Sequence, residues 1–225
     1  MPRQRAAAGT REPVIDPLRL QDLSDGSSVA PGRPGSHQEA IAWSGGSFAG
    51  LDLHGAVYTE CSLESVSLDS ADLTAARFLE TRLENLYAPV FRAARTTFRD
   101  VELTNPRLGS AEMYGGGWNS VRVDGGKIDY LNLRGSTLTN VLVSNCIIGE
   151  LDLDGARLNR VAFRDCRIDS LLLGNGGSAV DADLRGSEFR SISGLAGLKG
   201  FTVDDTQLLQ LAPLLAAQLG LRVEP

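Results

Sequence analysis

The sequence is poor in the residues on which many enzymes and compact globular cores depend. It has two histidines, three cysteines and 6% aromatic residues among 225 positions. The histidines are His37 and His54, so a histidine-dependent catalytic triad has little to work with. No combination of acid, base and nucleophile forms a recognisable catalytic site. We therefore predict a protein that is not an enzyme and that needs no metal or cofactor.

Membrane-spanning and secretory segments are also lacking. No apolar run approaches the roughly 20 residues that a membrane-spanning helix needs, and no apolar core of a signal peptide is found near the first residue. The cysteines, Cys61, Cys146 and Cys166, are odd in number, which does not fit a disulfide framework. Together these absences predict a cytoplasmic protein without membrane contact.

Neither sign of charge is in large excess, since 22 Lys and Arg residues stand against 28 Asp and Glu residues and give a net charge of -6. A mildly acidic chain is unsuited to nonspecific nucleic-acid binding, which depends on a positive surface that displaces counterions. We therefore expect no direct nucleic-acid binding. Glycine, by contrast, is plentiful with 25 residues, which favours a fold with many compact turns.

A five-residue pattern dominates the sequence. From Phe48 to Leu173 every fifth residue is apolar in all 26 places, and chance agreement in one chosen phase would be on the order of 10⁻¹⁰. The residues two positions earlier, from Leu51 to Leu171, include no charged side chain in 25 places. Two buried and three exposed residues in every five match neither the period of a helix nor that of a flat strand.

A period of five fits a chain that coils as a square, with one repeat on each side and 20 residues in each coil. The sequence resembles the pentapeptide-repeat family, whose loose motif is A(D/N)Lxx. Good matches to the motif are Ala71-Asp72-Leu73, Leu51-Asp52-Leu53, Leu131-Asn132-Leu133, Leu151-Asp152-Leu153 and Ala182-Asp183-Leu184. The resemblance implies an all-β fold, a right-handed quadrilateral parallel β-helix.

Residues 20 apart should then stack in columns and share one limited volume. One side combines small inward residues with large neighbours, and its large members begin with Tyr58, Phe78, Phe98 and Trp118. We expect this aromatic column to lie inside the core rather than to offer a platform for bases. Residues 146 and 166 are also one coil apart, and we interpret these two cysteines as core filler rather than as ligands or a disulfide.

The pattern divides the chain into three parts. Residues 1–40 are expected to form a disordered or weakly docked N-terminal tail, in which Pro17 to Leu23 is apolar enough to dock onto the first turn of the core. Residues 41–203 are expected to form the repeat solenoid, with a loop or bulge where the phase slips at 174–182. Residues 204–225 are expected to form a helical cap over the open end of the core.

The cap segment is rich in leucine and supplies the candidate dimer or cap face. Gly220 is expected to stop the helix, and Pro213 is expected to split the segment into two short helices. Relatives with a C-terminal helical cap can dimerise end to end through it, so the resemblance implies a homodimer. Capping the core would use the same leucines, and both roles stay open. The leucines on one helical face are Leu208, Leu211, Leu215 and Leu219.

The resemblance also bears on function, because some pentapeptide-repeat proteins bind DNA gyrase by imitating the shape and charge of duplex DNA and protect it from quinolones or peptide toxins. Such a mimic needs an acidic side. Over the exposed positions from Asp52 to Asn175, no side of the predicted coil exceeds a net charge of two negatives. A non-enzymatic protein-binding scaffold of unknown partner is therefore the leading hypothesis, and gyrase binding is the alternative.

Overall fold

The computed structural model describes residues 9–222 and residue 224, so the first eight residues of the tail segment and residues 223 and 225 of the cap segment lie outside the described residues. The described chain is a β-helix with two parallel sheets, one short 3-10 helix at Leu195–Leu198 and one α-helix, α1, at Asp205–Gln218. No helix in the described part of the chain is long and apolar enough to cross a bilayer.

The larger sheet has twelve strands and the smaller one has six. The larger contains β1 (Ser24–Asp25), β2 (His37–Glu39), β3 (Ile41–Ser44), β4 (Val57–Thr59), β5 (Ser62–Glu64), β6 (Arg77–Glu84), β8 (Thr97–Thr104), β10 (Gly117–Asp124), β12 (Thr137–Ser144), β14 (Arg157–Arg164), β16 (Ser178–Asp183) and β18 (Phe201–Thr202). The smaller contains β7 (Tyr87–Arg92), β9 (Arg107–Glu112), β11 (Lys127–Asn132), β13 (Ile147–Asp152), β15 (Arg167–Leu172) and β17 (Glu188–Ser193).

Strand register establishes the predicted coil. Each strand in the middle of the rod pairs in parallel with the strand one coil further on, as Trp118 does with Leu138 and Ile128 with Ile148. The offset is 20 residues, and the coil therefore has the length that the five-residue period predicts. The quadrilateral β-helix expected from the sequence is confirmed.

Sharp corners explain why the chain can turn after every fifth residue. In the coil from 77 to 96, the corner residues Glu80, Asn85 and Arg95 have φ of 50°, 51° and 57°. This left-handed conformation is least costly for Gly, Asn and Asp. The corner that contains Asn85 accordingly repeats as Asn105, Gly125, Asn145 and Asp165 in the following coils.

The core consists of the two inward series. Rings of the aromatic column stack face to face, with centroids 5.0 Å apart for Tyr58 and Phe78 and 5.3 Å apart for Phe78 and Phe98. Trp118 continues the column with its ring tilted by 58° against Phe98. These side chains are buried, so the column lies in the core as predicted.

The N-terminal end of the solenoid begins upstream of the boundary drawn at residue 41. Strand β1 pairs with β3, and β2 pairs with β4, so residues from Ser24 onward already take part in the coil. Trp43 Nε1 donates to the carbonyl of Val29 at 3.1 Å, and the Tyr58 hydroxyl donates to the carbonyl of Pro31 at 2.8 Å. The five-residue pattern misses this coil because its strands are very short and the turn between them contains two prolines.

The C-terminal end departs from the regular coil in two ways. After the slip, Ile168 faces Phe189 and Arg157 faces Ser178, so one extra residue lies in the preceding loop, as the phase predicts. The expected split of the cap helix is wrong, because α1 continues through Pro213. Proline removes the hydrogen bond to the carbonyl four residues earlier. That residue, Leu209, is exposed, so water can satisfy its carbonyl.

Candidate interaction surfaces

Helix α1 is fastened to the last coil by its first turn. Asp204 caps the helix: its carboxylate accepts from the amide of Gln207 at 2.9 Å and from that of Gly186 at 3.1 Å, and these bonds lower the pKa of Asp204. The buried amide of Gln207 donates to the carbonyls of Leu184 at 2.5 Å and Ser187 at 2.7 Å. The helix N-terminus is therefore held in place by polar contacts rather than by a leucine face.

The four predicted leucines of α1 do not act together. Leu211 is buried and Leu215 is half-buried, whereas Leu208 is 50% exposed and Leu219 is 76% exposed. The two buried helix residues, Gln207 and Leu211, lie in its first half, and most of its second half is exposed. Contiguous apolar patches are uncommon on a monomer surface unless they serve binding, whereas single exposed apolar residues are ordinary. The exposed leucines, here called the leucine surface, are Leu208, Leu209, Leu214, Leu219 and Leu221.

Acidic residues form two short columns in the N-terminal half of the rod. They flank a row in which Arg82 and Glu102 form an ion pair at 3.4 Å. The charge count in the sequence analysis was made separately for each side of the coil. It divided these residues, because those of the first column lie at a corner and were counted with the preceding side. Hydrogen bonds from Asn145 and Ser144 lower the pKa of Asp124, the last member of the second column. The acidic columns are Glu60, Glu80 and Asp100, and Glu64, Glu84 and Asp124, the second being interrupted by Thr104.

The smaller sheet presents a flat side with a mixed column of aromatic, basic and apolar residues. Tyr87 and Ile147 are exposed large residues, and Arg107 and Lys127 lie between them in successive coils. An open cleft of about 740 Å³ runs along this column. The ammonium of Lys127 lies 2.8 Å from the Asp129 carboxylate. Open clefts of this kind suit contact with another surface rather than enclosure of a small substrate.

Potentially reactive side chains are either buried or dispersed. Cys146 and Cys166 stack one coil apart as predicted, and both are buried free thiols. The Cys146 thiol donates to the carbonyl of Gly125 at 3.0 Å, and its hydrogen bond with the Cys166 thiol and its burial raise the pKa of Cys146. The exposed His37 ring forms a hydrogen bond of 3.0 Å with the Thr59 hydroxyl. Within residues 9–222, no three histidine, cysteine, aspartate or glutamate side chains converge as a metal site would require.

Parallel coils of 20 residues, left-handed corners and an inward apolar pair in each repeat decide the classification. The chain has the fold of a pentapeptide-repeat solenoid. No family model matches it, and no curated protein matches it. Among solved structures it is similar to full-length QnrB1, described as a plasmid-mediated fluoroquinolone resistance protein. That likeness has 15% identity and a TM-score of 0.39, and it covers 83% of this chain and 100% of the other.

A second similar structure is HetL, a pentapeptide-repeat protein involved in heterocyst differentiation regulation from the cyanobacterium Nostoc sp. strain PCC 7120. The identity is 15% and the TM-score is 0.37, with 80% of this chain and 94% of that chain covered. Both similarities concern the fold. The surfaces of this solenoid must therefore be interpreted from its own residues.

The N-terminal segment follows a course along the surface that the sequence interpretation does not include. Residues 10–23, here called the strap, lie outside the solenoid and contact its later coils. The amide of Leu18 donates to the Glu102 carboxylate at 3.3 Å, and the amide of Val14 donates to the side-chain oxygen of Asn140 at 3.2 Å. The expected docking of residues 17–23 onto the first turn thus differs from the structure. Alternating apolar residues in this segment were the available signal.

Proposed function

We propose that this pentapeptide-repeat solenoid is a non-enzymatic scaffold that binds other proteins through its outer surfaces and pairs with a second copy through the leucine surface. The exposure of five leucines on and just after α1 carries the proposal. Burying large apolar side chains against a partner is favourable by about 25 cal/mol for each Å² removed from water. Scaffolding, rather than catalysis, makes use of convex sides without enclosed clefts.

A second copy is the partner that fits the leucine surface best. The surface lies at one end of the rod, so a two-fold axis there would join two rods end to end without obstructing their sides. Leucines on both partners would then cover each other in a self-complementary contact. The same arrangement leaves the acidic columns and the smaller sheet free for other proteins.

Sedimentation equilibrium of the full chain tests this pairing. We expect a concentration-dependent dimer for the wild type and a monomer for the double variant Leu209→Ser/Leu219→Ser. The control is Leu51→Ser, which removes an exposed leucine from the side of the solenoid instead. A wild type that stays monomeric at all concentrations would refute the homodimer. Equal effects of the double variant and of the Leu51→Ser control on dimerisation would also refute it.

Gyrase binding is the second candidate, and the acidic columns favour it. Six carboxylates within about three coils form a more negative strip than the average of any whole side, and duplex DNA likewise presents regularly spaced negative charges. A supercoiling assay with purified gyrase and a quinolone tests this candidate. We expect micromolar protein to preserve supercoiling and Glu80→Lys/Glu84→Lys to abolish the effect, with Glu150→Lys on the smaller sheet as control. No effect of the wild type would exclude gyrase.

A further inference from the structure

The strap runs along the solenoid from its last coil to its first. Thr10 contacts Thr202, Arg11 contacts Asp181, and the contacts of Val14 and Leu18 follow at Asn140 and Glu102. The chain then joins β1, where the amide of Ser24 donates to the carbonyl of Ala40 at 2.8 Å. As the strap residue number rises from 10 to 24, that of its contact falls from 202 to 40.

An extended conformation accounts for this reach. The contacts span about eight coils, or ~38 Å at ~4.8 Å per stacked strand, and 14 residues cover up to ~46 Å at ~3.3 Å each. Burial alternates along the strap: Leu18 and Leu20 are partly buried, while Pro17, Arg19 and Gln21 are exposed. The segment therefore presents alternate side chains to the solenoid, as a bound extended peptide does.

The outer surface along the strap carries four apolar residues, here called the apolar strip, with charged side chains between the first and the other three. Leu79 and Ala162 occupy outward positions on the two sides of the corner column that includes residues 80 and 160, and both are buried. Leu142, one coil before Ala162 in the same column, is partly buried. Val180 also stands at an outward position, near the far end of the strap, and is 52% exposed. The strap contacts at positions 140 and 164 lie on either side of Leu142 and Ala162, whereas Leu79 and Val180 lie outside this interval.

Charged contacts hold the far end of the strap. The Arg11 guanidinium lies 2.6 Å from the Asp181 carboxylate, and its hydrogen bonds lower the pKa of Asp181. Glu12 pairs with Arg164. Arg11 is 65% exposed, and ion pairs at exposed sites add little stability. Segments held by few buried contacts open most readily, so we expect the far end of the strap to leave the surface while the solenoid stays folded.

We propose that the apolar strip is a docking groove for an extended polypeptide of another protein, and that the strap is its internal occupant in the free chain. The partner segment has apolar residues at alternate positions and a basic residue followed by an acidic one, which meet Asp181 and Arg164. When the partner docks, its extended segment replaces the strap, which has the same chemistry. The inference rests on the scaffold function and names the class of partner, but it does not depend on the leucine surface.

Opening the strap in the full chain tests the exchange. Leu18→Asp/Leu20→Asp places two charges against the strip and beside Glu102, whereas Val14→Asp/Gln21→Asp adds the same charge at exposed strap positions. Hydrogen exchange of residues 10–23 reports opening. Fluorescence anisotropy reports binding of a labelled synthetic peptide that spans residues 9–23. We expect the opened variant to bind this peptide at least tenfold more tightly than the wild type and the control variant do.

Two further peptides give the specificity. A scrambled peptide should not bind the opened variant, and a peptide with Arg11→Glu should bind it more weakly, because Asp181 would then face a negative charge. Equal affinity of all variants for all peptides would overturn the proposal. So would unchanged hydrogen exchange in the opened variant, since the strap would then be a permanent part of the fold. Sedimentation of the same samples measures dimerisation independently, so a failure of peptide docking can be distinguished from a failure of the proposed homodimer.

Discussion

The middle coils and the two ends of this solenoid are held together in different ways. Between residues 77 and 173, every strand except the edge strand β7 has a parallel neighbour on both sides, and the inward residues of each coil are buried by the next. At the ends, β1 and β18 have two residues each, and the strap and α1 depend on a few side-chain bonds. The comparison teaches that the repeat supplies the contacts of the middle, whereas the ends are held by fewer bonds.

Removing an aromatic ring from the middle of the core should have the largest effect. Phe78→Ala leaves a cavity between Tyr58 and Phe98, and we expect a loss of about 3–5 kcal/mol in the free energy of unfolding. Urea denaturation measures it. The comparison variant is Phe189→Ala in the last regular coil, where the ring is only half-buried and about 1–2 kcal/mol should be lost. Equal losses would contradict the difference between middle and end.

Releasing α1 should cost less and act locally. Gln207→Ala leaves the carbonyls of Leu184 and Ser187 without their amide donor, and unsatisfied buried groups cost about 1–3 kcal/mol. We expect hydrogen exchange to accelerate in residues 205–218 and not in the middle coils. Gln210→Ala, at an exposed helix position, is the control. Acceleration throughout the solenoid would indicate that the end is not an independent unit.

A corner substitution tests the geometry of the middle coils. Asn85 has φ of 51°, and the left-handed conformation costs a β-branched residue about 1–2 kcal/mol. Asn85→Val should therefore lower the free energy of unfolding by this amount, while Asn85→Gly should be nearly neutral. Tyr87→Val, in the neighbouring strand, controls for the change of residue type. If valine at positions 85 and 87 lowered the free energy of unfolding equally, the left-handed corner would not restrict which residues position 85 accepts.

The smallest expected effect is a pH dependence of the C-terminal end. Hydrogen bonds from Gln207 and Gly186 lower the pKa of Asp204 below its ordinary value of 3.8. The stabilisation is then present above pH 3.8 and is lost as the pH falls below this value through the folded-state pKa. Helical circular dichroism of α1 should decline in that range. Asp204→Asn keeps a capping side chain but removes the titrating group. The decline of the helical signal below pH 3.8 that is due to Asp204 should therefore be absent in this variant.

Much of the fold follows from the sequence because the repeat is strict. The sequence predicts the period, the coil length, the aromatic column and the stacking of Cys146 on Cys166. Each of these features follows from which residues face inward and which face outward. Proline misled the cap prediction: Pro213 breaks an internal hydrogen bond, but its acceptor is on an exposed part of the helix. The effect of a proline depends on solvent access, which the periodicity does not reveal.

The interaction surfaces were harder to predict, because outward positions carry no periodic constraint. The acidic columns form where two sides meet, and a count made side by side divides them. The strap depends on contacts such as that of Arg11 with Asp181, 170 residues apart. No local pattern specifies such a partner. Similarly, Leu208 and Leu211 fit one helical face, but only the docking of Gln207 determines which of them is buried.

Hydrogen exchange along the whole wild-type chain tests most directly whether the ends open while the middle stays closed. We predict that amides in β8, β10, β12 and β14 exchange only through global unfolding, with a single slow rate. Those of the strap and α1 should exchange by local opening at least 100-fold faster. The strap and α1 exchanging at the rate of the middle coils would contradict the account, because the proposed binding ends would then be as permanent as the core.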